Sequence, residues 1–268
     1  MHFWKYEGLG NDFIVVEANE PAPFQSRAVE LCDRHTGVGA DGILVLGDLL
    51  SETPRMSVWN ADGTSAQMCG NGLRCAELHR RRQGGEGAGR WQTLAGPHLA
   101  RLVGDAVEVQ MVAPTFEPAS IPIASEGELI DGTVEVEGEA LVVTAVGMGN
   151  PHAVVFGDFD EADRRCLGPV LQRDPLFPEG VNVGFATPDG RERFILHVLE
   201  RGAGWTQACG TGACAAVAAA VATGRAGAGQ AVEVQLPGGT LVITAGTSSE
   251  PIAMRGPARL VFDGTLRT

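Results

Sequence analysis

The apolar positions of this chain fall mostly in short runs broken by Gly, Pro, Asn and Asp, a pattern of strands and tight turns rather than long amphipathic helices. Phe13 to Val16 is one such run, and Arg55 to Trp59 and Phe194 to Leu199 read as strands. Val232 to Leu236 and Leu241 to Thr244, joined through Pro237-Gly238-Gly239, predict a hairpin. So do Arg101-Leu102-Val103 and Val107 to Met111 around Gly104-Asp105. Two stretches break the pattern: Leu73 to Arg82 and Ala213 to Ala222 are compatible with helix, and each follows a Cys-Gly-x-Gly. The second is almost all Ala and Val and predicts a helix buried all round, whereas the first ends in charge.

The two helical stretches belong to an internal repeat. Gly8-Leu9-Gly10-Asn11-Asp12-Phe13-Ile14-Val15-Val16 matches Gly147-Met148-Gly149-Asn150-Pro151-His152-Ala153-Val154-Val155 at an offset of 139. Asn60 to Gly72 matches Glu200 to Gly212 at 140, and Gly39-Ala40-Asp41 matches Gly180-Val181-Asn182 at 141. A nearly constant offset over three separated segments implies two homologous halves related by an approximate twofold. Each half is expected to wrap a mainly antiparallel, barrel-like sheet around one central helix, an α+β fold. The expected domains are residues 1–113 and 114–256, with Pro114 to Pro122 as linker and residues 257–268 returning to the first domain.

Composition narrows the function. The chain has 268 residues, 44% hydrophobic and 20% charged, which is globular, and a net charge of −13. That acidity disfavours nucleic acid and anionic lipid as partners. The N-terminus lacks an apolar signal region and the longest apolar run is too short to span a bilayer, so a cytoplasmic protein is expected. The single lysine, Lys5, lies in an apparent first strand, which argues against a Schiff-base enzyme. No Gly-Lys-Ser/Thr marks a P-loop. The six cysteines contain no Cys-x-x-Cys pair, and Cys69/Cys75 and Cys209/Cys214 fit no zinc spacing, so no structural metal is expected.

Cys69 and Cys209 each stand where a loop hands over to a helix N-terminus. The unpaired amides and positive dipole end there favour anions, lower a thiol's pKa and can hold a carboxylate. Two thiols on opposite faces of a tetrahedral carbon, one ionised and one protonated, are what inverting a stereocentre by deprotonation and reprotonation requires. The carbanion then needs electrostatic support, for which two helix N-termini aimed at the adjacent carboxylate are a source. A buried cysteine is more often a small hydrophobe, the role expected of Cys32, Cys75, Cys166 and Cys214. A glycine-flanked thiol recurring in both halves is a poor way to fill a core. A redox pair and a Cys-His hydrolase with His152 as base are further alternatives, the latter leaving one cysteine idle.

Polar residues near these loops extend the pattern. Asn11 and Asn150 follow Gly-x-Gly, where turn stabilisation is the simpler role. Asn60 and Glu200 end their strands nine residues before each cysteine, and Arg201 follows. Amides, a guanidinium fork and a carboxylate together suit a zwitterion. His152 and Glu200 are placed to bias which thiol holds the proton. His2, His35, His79, His98 and His197 lack such context.

Gly8-Leu9-Gly10-Asn11-Asp12-Phe13, Asn60-Ala61-Asp62-Gly63, Gln67 to Cys75, Gly149-Asn150-Pro151-His152, Val181-Asn182, Glu200 to Gly204 and Ala208 to Gly212 together resemble the diaminopimelate epimerase family, from residue 3 to Asp263-Gly264. The resemblance implies a cofactor-independent isomerase that interconverts LL- and meso-2,6-diaminopimelate in lysine biosynthesis, as a homodimer. It implies Cys69 and Cys209 as catalytic acid/bases, and the amides of Gly70, Asn71, Gly210 and Thr211 as holders of the reacting carboxylate. Asn60, Asn150, Asn182 and Arg201 would take the distal amino acid end, Asn11 and Glu200 would complete the pocket, and His152 and Glu200 would tune the thiols. Some members carry Gln where this chain has Gly42; many differ at Glu7 and Trp205, positions with no assigned role. Proline racemases and hydroxyproline epimerases share the two-half fold but usually have His where Asn71 stands. Phenazine-type isomerases replace the first thiol by a carboxylate. A non-catalytic amino acid binding protein would need the pocket but not the thiols.

Overall fold

The computed structural model describes residues 1–190, 192–247 and 250–266. Its contacts divide the chain into two compact units, one of Met1–Gln110 with the stretch from Arg255 onward, the other of Met111–Met254. The first unit contains β1 (His2–Gly8), β2 (Asn11–Glu17), α1 (Ala22–Cys32), β3 (Gly42–Gly47), β4 (Arg55–Asn60), β5 (Ser65–Ala66), α2 (Gly70–Arg82), β6 (Gly89–Thr93), β7 (Gly96–Val103) and β8 (Ala106–Gln110). The second contains β9 (Gly132–Val136), β10 (Glu139–Gly147), β11 (Pro151–Phe156), α3 (Glu161–Leu171), β12 (Asn182–Pro188), β13 (Arg193–Glu200), β14 (Gly204–Trp205), α4 (Gly210–Ala222), β15 (Ala231–Leu236) and β16 (Gly239–Thr244). A strand β17 (Ala253–Gly256) straddles the division, and β18 (Arg259–Thr265) pairs antiparallel with β1.

The repeat in sequence is a repeat in topology. In the first unit β18, β1 and β2 pair antiparallel, β2 with β3 parallel, β3 with β4 antiparallel, and β4 with β6 parallel. In the second, β9, β10 and β11 pair antiparallel, β11 with β12 parallel, β12 with β13 antiparallel, and β13 with β15 parallel. The sheets are therefore mixed, not simply antiparallel. Parallel neighbours need a crossover, and the helices provide it: α1 and α3 lie between one parallel pair in each unit, α2 and α4 between the other. The expected hairpins form with two-residue turns, Gly104-Asp105 between Val103 and Ala106, and Pro237-Gly238 between Leu236 and Gly239.

Each second helix sits against many strands of its unit, α2 touching β1, β2, β3, β4, β7, β8 and β18, and α4 touching β10, β11, β12, β13 and β16. Helix α4 is buried all round from Gly212 to Ala220, with Val221 half-buried and Ala222 exposed at its end. Helix α2 is buried from Gly70 to Arg80 apart from the half-buried Leu78, and its charged end emerges at Arg81 and the exposed Arg82; the buried charges Glu77 and Arg80 pair with each other. Glu77, fully buried, receives Arg80 through two bonds of 2.8 and 2.9 Å and Trp91 Nε1 at 2.9 Å. His79 lies 2.9 Å from Glu17 Oε1 and 3.1 Å from the Tyr6 hydroxyl, whose pKa burial raises to about 12.

Pro114 to Pro122 is a packed part of the second unit and not a loose linker. Thr115 bridges Gly147, and Ile121 and Ile123 enter the core with Val143, Val155, Leu171 and Phe185.

Candidate active site

In the first unit the thiol is delivered by the start of α2. Cys69 is the N-cap, extended at φ −139° and ψ 114°, and its Sγ accepts the Gly72 N–H at 3.4 Å. A side chain at this position meets the unpaired amides and positive end of the helix. Close packing dictates the second glycine: a Cβ on Gly72 would come 2.9 Å from Leu44. Gly70 and Asn71 form the buried first turn. Asn11 arrives from the β1–β2 hairpin, whose central residues Leu9 and Gly10 both have positive φ, 59° and 81°, as in turns that match strand twist. The Cys69 thiol points to Asn11 Oδ1 at 3.9 Å, and Asn71 Nδ2 donates to the same oxygen at 3.2 Å. Asn60 ends β4, where its Nδ2 donates to Thr64 Oγ1 at 2.9 Å.

The second unit repeats the arrangement around α4. Cys209 is the N-cap, its Sγ accepting the Gly212 N–H at 3.3 Å and lying 3.5 Å from Thr211 Oγ1. A Cβ on Gly212 would come 3.0 Å from Val198. Burial, then the Glu200 carboxylate, push the Cys209 thiol well above the ordinary thiol range, against the hydrogen bonds from Thr211 and Gly212. Asn150, in the turn between β10 and β11, donates through Nδ2 to Thr211 Oγ1 at 3.4 Å. His152 is buried, and burial, reinforced by the Arg201 charge, lowers its pKa to about 3. It is thus neutral, and its Nε2 lies 3.0 Å from Asn150 Oδ1. Glu200, at the end of β13, accepts the Thr206 hydroxyl at 2.6 Å. Asn182 Oδ1 accepts the Arg201 N–H at 2.8 Å while its Nδ2 donates to Pro151 O at 3.0 Å. The Arg201 guanidinium donates to Glu179 O at 2.7 Å.

Within the first unit, then, Asn11, Cys69, Gly70 and Asn71 converge, with Asn60 held in its own turn. Within the second, Asn150, His152, Glu200, Cys209, Gly210 and Thr211 converge, and Asn182 braces Arg201. Two contributors escape sequence reading. Thr206 looks like a turn residue until its bond to Glu200 is seen. Asp41 binds Asn11 Nδ2 at 2.8 Å, and the only hint was its match to Asn182 in the repeat. Among the described residues no group of three or more His, Cys, Asp or Glu is placed to hold a metal ion.

The model of the diaminopimelate epimerase family matches residues 3–117 and 144–261. The chain belongs to the diaminopimelate epimerase family. It is 44% identical to the diaminopimelate epimerase of Desulforudis audaxviator, over 98% of both chains, and 41% identical to that of Xylella fastidiosa strain M23, over 98% of this chain and 95% of the relative. Solved structures extend the fold beyond the diaminopimelate epimerases. A probable proline racemase from Agrobacterium radiobacter superposes with a TM-score of 0.70 at 14% identity, over 99% of this chain and 92% of that one. A Bacillus anthracis protein of the phenazine biosynthesis family superposes with a TM-score of 0.71 at 16% identity, over 100% and 99%.

Proposed function

We propose that this diaminopimelate epimerase family member interconverts LL- and meso-2,6-diaminopimelate in lysine biosynthesis by passing the α-proton between two thiols, with no cofactor. The observation that carries the reading is the duplicated site: in each unit a cysteine caps a largely buried helix, the N–H of the third helical residue bonds its sulfur, and an asparagine from a neighbouring hairpin faces it or its neighbour.

One thiolate removes the α-proton, the opposite thiol donates its own to the other face, and the configuration inverts. The amides of Gly70, Asn71, Gly210 and Thr211 hold the adjacent carboxylate and stabilise the carbanion's developing charge. Asn60, Asn150, Asn182 and Arg201 bind the distal amino acid end, and Asn11 and Glu200 complete the pocket. Glu200 beside Cys209 disfavours that thiolate, while a neutral His152 orients Asn150 and adds no charge. The same reading makes the enzyme a cytoplasmic homodimer that does not engage nucleic acid.

Proton NMR of LL-diaminopimelate with reduced protein in D2O tests the proposal. The α-proton signal should disappear as the meso isomer forms, without added cofactor. Cys69→Ala and Cys209→Ala should each lower kcat by about 10²- to 10⁴-fold, the range of general acid–base catalysis. An α-proton that survives with folded, reduced protein removes the diaminopimelate assignment. Undiminished turnover in either variant removes the two-thiol mechanism.

A further inference from the structure

Asn11 is held by a carboxylate at its far end. Asp41, next to the start of β3, accepts Asn11 Nδ2 at 2.8 Å and the Asp12 N–H at 3.1 Å on Oδ2, and Arg34 Nη2 at 2.8 Å on Oδ1. Arg34 also grips Asp12 through two bonds of 2.7 and 3.1 Å, and Lys5 Nζ lies 2.6 Å from the same carboxylate and donates to Gly39 O. Burial raises the Asp12 pKa, but the bonds from Arg34 and Lys5 outweigh it and hold the group at about 2. The whole corner is pinned by charge, and Asp41 within it offers Asn11 only acceptors.

An amide has one donor end and one acceptor end. With its amino group committed to Asp41, Asn11 turns its carbonyl oxygen toward Cys69, 3.9 Å from Sγ, and toward Asn71 Nδ2 at 3.2 Å. The second unit holds the matching asparagine the other way. There the partner is the neutral His152, whose ring nitrogen serves Asn150 Oδ1, so the amino group is left for Thr211 Oγ1, 3.5 Å from Cys209. The two halves share an asparagine at matched positions and orient it oppositely, because its anchor is an acceptor in one and a donor in the other.

We infer that Asp41 is a positioning residue: it fixes the Asn11 amide so that the carbonyl oxygen, and not the amino group, faces Cys69. The oxygen favours Cys69 as S–H, against the pull of the Gly72 N–H toward the thiolate. Asp12, Asp41 and the fixed charge of Arg34 are reached from Cys69 through Asn11, and the buried Cys75 of α2 interacts with it directly. The inference rests on the acid/base role proposed for Cys69, but its test does not use turnover.

The measurement is the pH dependence of iodoacetamide alkylation of Cys69, followed by mass spectrometry on the tryptic peptide from Met56 to Arg74, in which it is the one cysteine. Asp41→Ala frees the Asn11 amino group to face the sulfur, and the alkylation midpoint should fall by about one pH unit, the size of one hydrogen bond to a charged group. Asp41→Asn loses the same charge but keeps an acceptor oxygen where Oδ2 lies, and should restore the wild-type midpoint. Asn11→Ala leaves the Asp41–Arg34 pair in place, removes the carbonyl acceptor and should also lower the midpoint, which keeps the test open if Asp41→Ala does not fold. An unchanged midpoint in Asn11→Ala, or in folded Asp41→Ala, overturns the inference. Equal shifts in Asp41→Ala and Asp41→Asn also overturn it, since charge alone would then be responsible. Failure of the acid/base role would appear separately, as retained turnover in Cys69→Ala.

Discussion

The Thr206 hydroxyl gives Glu200 a short, charge-assisted bond of 2.6 Å, and the Cys209 thiol bonds the same carboxylate. Thr206→Val keeps the shape and deletes the donor. A hydrogen bond to a charged group contributes about 1.5–3 kcal/mol, so kcat/KM should fall about tenfold or more in a steady-state epimerisation assay. A variant at wild-type efficiency would leave Glu200 held by other means. Cys69 with Cys209 and Asn11 with Asn150 stand out in the sequence because each pair recurs at a nearly constant offset in a context that core packing does not explain. Thr206 and Asp41 do not, because their roles lie in which atom they face. Asp41 sits thirty residues from the amide it orients, and only the paired strands β2 and β3 bring them together.

Among the elements, the two thiol-bearing helices begin where they do because glycine lets them lie close on a strand. Gly212→Ala places a methyl 3.0 Å from Val198 and 3.2 Å from Cys209 Sγ, so the variant should lose both stability and turnover, with Gly212→Ala/Val198→Ala recovering stability more than turnover. Melting curves alongside activity assays distinguish the two effects. Helix α2 makes a different prediction. Removing Glu77 leaves buried Arg80 without its carboxylate and the buried Trp91 indole N–H without an acceptor, at a cost of about 3–5 kcal/mol in denaturant unfolding, while replacing both Glu77 and Arg80 by Leu and Met should recover only part of it because the Trp91 N–H stays unpaired. Sequence pattern located α2 and α4 by their composition. It missed α1, which opens between Pro21 and Pro23, and α3, whose Gly168-Pro169 reads as a breaker. The reciprocal cap between Asp160 and Asp163 was the available signal for α3. The parallel pairings were also invisible, because short apolar strands look alike whichever way a neighbour runs.

At the scale of the whole chain, duplication made the fold readable: one half's irregularities could be checked against the other's. It also sets how stability depends on pH. His152 has a folded pKa of about 3 against an ordinary 6.5, so the folded state binds fewer protons between those values. Its contribution is fully present above about pH 6.5 and is lost as pH falls toward 3. Asp12, at about 2 against 3.8, acts in the same direction below about pH 4. Unfolding free energy should therefore decline between pH 6 and 4, by about 1 kcal/mol per unit from His152. Replacing His152 by Gln should flatten that limb in a series of chemical melts, and an unchanged slope would mean that the ring is not buried neutral.

The ion pair at Lys5 has a use outside catalysis. The chain's one lysine keeps its side chain 7% exposed, its amine locked between Asp12 and the Gly39 carbonyl. An activated ester therefore meets no open lysine side chain on the folded protein, and acylation of Lys5 must wait for the β1–β2 corner to open. The rate at which Lys5 is labelled becomes a clock for local unfolding beside Asn11, readable by peptide mass that separates it from the α-amine of Met1, without any engineered probe.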